Sequence, residues 1–98
     1  MAALATKDIT GANSFTDAVM VLAGDFSISV SGTFSATVTV QKSYDTSSPS
    51  NFEDVETFTV PVERVGYEAE NIYYRVGVKT GEFTSGTVSV RIGGKDIQ

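Results

Sequence analysis

Apolar and polar residues alternate along most of the chain, and this period of two predicts strands. In "TFSATVTVQ", Phe34, Ala36, Val38 and Val40 fall on one face and Ser35, Thr37, Thr39 and Gln41 on the other. A half-buried antiparallel strand has this pattern, because successive side chains leave the pleat on opposite sides. "NIYYRVGVK" repeats it, with Ile72, Tyr74, Val76 and Val78 set against Tyr73, Arg75, Gly77 and Lys79. "GTVSVRIG" adds Val88, Val90 and Ile92, and shorter strands fit "AVMVLA", "DFSISV" and "VETFTV". Turn residues stand between these runs at Ala23-Gly24-Asp25, Ser31-Gly32 and Thr80-Gly81-Glu82. Pro61 has no N–H to give to a ladder and marks a strand end or edge. The one rival for a helix is "SFTDAVMVLAG", where Ser14 to Asp17 offers a capping box; its β-branched residues and closing glycine favour a strand.

Six or seven short strands rich in Thr and Val predict an all-β domain, a single antiparallel β-sandwich of Ig-like or jelly-roll type. The pattern alone does not choose between those topologies. Residues 1–14 lack a periodic core face, as does "GGKDIQ" at 93–98. The expectation is therefore a flexible N-terminal arm over 1–14, followed by a sandwich domain over 15–98. An arm that orders only against a neighbouring subunit has the same sequence pattern as one that frays.

At 98 residues the chain has room for one small core. It contains neither cysteine nor histidine, so disulfides, ordinary zinc or haem sites and the usual neutral-pH base are not expected. A net charge of −5 disfavours nucleic acid and anionic lipid as partners, and the seven Lys and Arg are scattered. No run approaches the roughly 20 apolar residues of a membrane span. "MAALATKDITGANSF" has no basic region followed by an apolar core, so it does not read as a secretory signal.

The densest cluster of reactive residue types is "QKSYDTSSPSNFEDVETFTV", residues 41–60. Its serines (43, 47, 48 and 50) have no histidine to activate them, and Lys42 and Lys79 sit on apparent polar faces, where they keep their protons. Glu53, Asp54 and Glu56, like Glu63, Glu68 and Glu70, read as solvated charges that discourage edge-to-edge strand pairing. Asp45, Glu53 and Asp54 offer oxygens to calcium but lack the spacing of a dedicated loop. Gly93-Gly94-Lys95 is too short for a phosphate loop. The residues therefore predict no catalytic, cofactor-binding or metal-binding set, no small-molecule substrate and no enzyme.

Two stretches resemble a group of small tailed-bacteriophage virion proteins. "GTFSATVTVQKSYDTSSPSNFEDVETFT" is similar to the pattern Gly-Thr-Phe-x-x-Thr-Val-x-(Leu/Val)-Gln-(Arg/Lys)-Ser-x-Asp, followed by a turn, an aromatic and an acidic strand start. "NIYYRVGVKTGEFTSGTVSVRIG" resembles the closing hairpin of that group. The group's glycine-rich turn with a tryptophan is replaced here by "TSSPS" and Phe52. The resemblance implies a virion structural protein, foremost a capsid decoration or cement protein in multiple copies or as a homo-oligomer, contacting the major capsid protein or other virion proteins. A tail or head–tail connector component, or a carbohydrate-binding adhesion module, are the alternatives. Expected partner contacts are Leu4, Ile9 and Phe15 on the arm, and Phe52, Tyr67 and Phe83 as loop aromatics.

Overall fold

The computed structural model describes residues 2–21, 23–44 and 51–95. Among them, eleven strands run in chain order: β1 (Ala2–Ile9), β2 (Ser14–Phe15), β3 (Val19–Val21), β4 (Gly24–Ser31), β5 (Phe34–Ala36), β6 (Val38–Ser43), β7 (Glu53–Phe58), β8 (Val62–Glu68), β9 (Ile72–Val78), β10 (Phe83–Gly86) and β11 (Val88–Lys95). The first sheet has the order β1-β11-β4-β8. In the second, β9 pairs with both β2 and β3 on one side and with β6 on the other, and β7 closes the far edge. All pairings are antiparallel.

Between the eight positions of these two sheets, every connection changes sheet except the β6–β7 hairpin. That is the strand order of a jelly roll, so the alternative left open by the pattern falls to this topology. Along the crossings from β4 to β6 and from β9 to β11, β5 and β10 pair as a separate two-stranded ribbon.

The inward positions match the alternation. Val38 and Val40 on β6, Ile72, Tyr74, Val76 and Val78 on β9, and Val88, Val90 and Ile92 on β11 are all buried. Phe26, Ile28 and Val30 on β4 complete the core from the first sheet. Each fully buried Val or Ile is worth about 1.5–3 kcal/mol relative to exposure. The turns also fall where glycine was read: Gly32 (φ 103°) leaves β4, and Gly81 (φ 82°) sits inside a turn closed by a Glu82 N–H to Lys79 C=O bond of 3.1 Å. The stretch from Ser14 to Val21 holds the short strands β2 and β3 and no helix, as strand propensity indicated.

The N-terminal stretch departs from expectation. Residues 2–9 are not an arm: they pair with β11 from Ala2↔Lys95 to Ile9↔Val88. Ile9 is fully buried and Ala5 nearly so, which makes β1 part of the sandwich. Its inward positions read Ala5, Lys7 and Ile9, and the lysine at the rim breaks the apolar period that would have revealed the strand. The other end differs likewise, since Gly93 and Gly94 extend β11 between β1 and β4, and Lys95 continues its pairing with β1. A Cβ at Gly94 would lie only 3.2 Å from Phe26 Cβ, so glycine there permits tight packing of the core. Residues 96–98 lie outside the described residues.

Candidate contact surface

Two outer faces differ in kind. On the second sheet, β6 is buried on its polar side too: Thr39, Gln41 and Ser43 are all covered. The cover is a layer built around Arg75. Its guanidinium lies 4.4 Å from the Phe15 ring centroid and 3.9 Å from that of Phe52. Arg75 Nε donates to Gln41 Oε1 at 2.9 Å, and Gln41 Nε2 donates to Asp54 Oδ1 at 2.8 Å. Lys79 Nζ reaches the other carboxylate oxygen at 2.7 Å. A cation held by two rings and an amide relay gives this face a second, polar core. Phe15 can lie so low because its neighbour is Gly77, where a Cβ would come within 2.5 Å of Phe15 Cα. Thr39 Oγ1, beneath this layer, is buried without a hydrogen-bond partner among the described residues.

This network also bears on the reactive cluster at 41–60. Both oxygens of Asp54 are engaged, and its carboxyl is held below the ordinary carboxylate value, chiefly by Lys79 and then by Gln41. Lys42 shares the inward side of Val38 and Val40 and is not on a polar face as the pattern implied; its register partner is Tyr74. The hydrogen bond to Tyr44, with Glu68 at 3.7 Å, holds its ammonium above the ordinary value. Asp45 and the turn at 46–50 lie outside the described residues. Among the described residues no three acidic side chains gather to hold a metal ion.

The first sheet presents an open outer face. One row across it runs Leu4, Gly93, Ser27 and Val65, spanning three strand spacings, about 14 Å. The next row on β8 carries Tyr67 opposite Asp25. Leu4 is 52% exposed, Val65 79% and Tyr67 68%. Between these rims the central strands offer small residues, leaving a shallow trough of about 330 Å³ lined by Asp25, Ser27, Val65, Arg91 and Gly93 together with Phe26 and Gly94. Farther along the sheet the face becomes hydrophilic: Ser29 Oγ donates to Glu63 and Ser89 Oγ donates to Asp8.

The predicted contact residues thus separate. Leu4 and Tyr67 share the open face, joined by Val65, which the sequence reading missed. Phe15 and Phe52 meet on the opposite face, where Arg75 engages both rings. Phe83, on the ribbon, packs half-buried against the core. Ile9 is not available to a partner, because the core of its own chain encloses it.

β8 itself went unread for a physical reason. Its inward side carries Val62, Arg64, Gly66 and Glu68, while its apolar Val65 and Tyr67 point out. Arg64 lies 5.5 Å from the Phe58 ring centroid, and the Phe26 ring fills the space over Gly66, where a Cβ would come within 2.5 Å of Phe26 Cζ. The strand's polarity is inverted, and that inversion was the available signal for an exposed apolar face. No family model matches this sequence, and no curated protein matches it.

Proposed function

We propose that the protein is a bacteriophage virion structural protein, a capsid decoration or cement protein that stabilises the head through contacts with the major capsid protein. The observation that carries this reading is the outer face of the first sheet, where Leu4, Val65 and Tyr67 stand exposed around a floor of Ser27 and Gly93. A low-relief patch with apolar rims on a rigid sandwich suits a broad protein contact. The resemblance of "GTFSATVTVQKSYD" and "NIYYRVGVKTGEF" to virion proteins supports the same reading. Jelly rolls serve viral capsids and lectins alike, so the architecture fits without choosing. Net charge of −5 is compatible with a capsid exterior and opposes contact with packaged DNA.

Imaging of intact particles tests the proposal by copy number and location. The expected result is many copies spread over the head, and particles lacking the protein should resist heat and osmotic shock less well. Few copies at a single vertex would point instead to a tail or connector component. Complete absence from virions would sink the reading. A Val65→Asp, Tyr67→Ala variant should fold normally, since both positions are exposed, and should lower head occupancy at least about tenfold.

A carbohydrate-binding adhesion module is the second reading, and one observation favours it. Tyr67 stands beside a trough bordered by Asp25, Ser27 and Arg91, which combines a flat ring with hydrogen-bonding groups. Glycan binding by the isolated domain, lost in Tyr67→Ala with the head location absent, would make this the better assignment.

A further inference from the structure

We propose that β1 is a dimerisation edge, at which a second copy of this chain adds its own β1 antiparallel and joins the two first sheets into one. The other edges of the two large sheets are guarded. β7 carries Glu53, Asp54 and Glu56, and its pairing with β6 is broken by a register shift at Val40/Gln41. β8 follows Pro61 and carries Glu63, Arg64 and Glu68; its Arg64 also bonds Glu56 of β7 at 2.6 Å, tying these two edges together. β2 and β3 are two and three residues long, too short to template a strand. Charge, proline, register breaks and short length are the usual ways in which a sheet edge is protected.

β1 has less of this protection: its two charges, the inward Lys7 and the outward Asp8, lie together toward one end of the strand. It runs eight residues in unbroken register with β11, contains no proline, and is exposed at Leu4, Thr6, Lys7 and Asp8. No described backbone hydrogen bond ties β1 to anything but β11. Such an edge offers a row of unpaired N–H and C=O groups, and the chemistry that recognises it is another extended strand.

Self-complementarity points to a second copy as that strand. A two-fold axis normal to the sheet keeps outward side chains outward, so it must pass through a residue of β1. An axis at Lys7 or Asp8 sets like charges directly opposite one another, which is destabilising. At Thr6 it sets Leu4 against Asp8. At Ala5 it pairs residues 2–8 of each copy, sets Leu4 opposite Thr6, and brings the two Leu4 side chains within diagonal reach. The Ala5-centred register covers the exposed leucine and opposes no charges. It also makes an eight-stranded sheet whose two open faces lie side by side. The inference does not rest on the virion reading, since it concerns the purified chain alone.

Sedimentation velocity of the purified protein across a concentration series tests it, at about 0.15 M salt, where the screening length is about 8 Å. The wild type should pass from monomer to dimer, with dimer prominent by about 1 mM. Leu4→Glu with Thr6→Glu sets a carboxylate opposite a carboxylate twice, on the exposed face, and should weaken the dimer at least about tenfold. Leu4→Glu with Thr6→Lys restores opposite charges across the same pairs and should recover it. Circular dichroism and thermal melting confirm that each variant is folded. A wild type that remains monomeric throughout, a double-carboxylate variant that dimerises undiminished, or a charge-swapped variant that fails to recover would each overturn the proposal.

Discussion

The hydroxyl of Tyr74 is a polar group carried into the core, and its partner decides how the protein answers to alkali. The ring is buried, 4.7 Å from that of Phe26, and the hydroxyl donates to Glu68. Burial first, and then this hydrogen bond, hold the phenol above its ordinary value. The folded state therefore keeps a proton that the unfolded chain releases near pH 10, and the stabilisation is complete below about pH 10 and fades as pH rises beyond it. Tyr74→Phe should cost about 1 kcal/mol at neutral pH and flatten the alkaline decline of stability; urea unfolding from about pH 7 to pH 11 checks both. The inward placement of Tyr74, opposite to Tyr73, was legible from alternation. The surroundings of Arg75 were not, because Phe15 and Phe52 lie far from it in sequence and meet it only when β2, β7 and β9 share one sheet.

Among the elements, β1 changes most between pattern and structure. With Ile9 enclosed by the core and the strand hydrogen-bonded to β11 along its length, removal of the first 14 residues is expected to unfold the sandwich instead of trimming an arm. Ile9→Ala is expected to lower stability by about 2–5 kcal/mol, as for a buried aliphatic truncated beside unyielding neighbours, and chemical denaturation measures it. A cost below about 0.5 kcal/mol would return residues 1–14 to the status of an arm. β6, β9 and β11 were legible because each buries a regular run of Val, Ile or Tyr. β1 and β8 were not, because an edge strand tolerates Lys7 and Arg64 on its inward side, where their charged ends reach solvent past the rim, while Glu68 meets the Tyr74 hydroxyl and Lys42.

In the whole molecule, the topology sets the folding rate. The pairing of β1 with β11 joins Ala5 to Ile92, and that of β4 with β8 joins Ile28 to Arg64, so most of the first sheet waits on closure of long loops. Refolding should be single-exponential and slow, in the range of about milliseconds to seconds, as stopped-flow dilution from urea would show. A phase of microseconds would mean that local contacts carry more of the fold than this strand order allows. The same arrangement gives the molecule two unlike faces. One is sealed by the Arg75 layer, and the other is left open with Leu4, Val65 and Tyr67.

By itself, the sequence determined that the fold is all-β, which residues of β6, β9 and β11 face inward, and where several of the turns fall. These are consequences of local stereochemistry: the two-residue period of the pleat, the missing N–H of proline and the positive φ open to glycine. Only the tertiary structure decided the jelly-roll order, the membership of residues 2–9 in the core, and the gathering of Leu4, Val65 and Tyr67 onto one open face. Those features depend on which strands become neighbours. In a sandwich whose connections nearly all cross between sheets, that choice is made by the packing of distant segments, which no short window of sequence records.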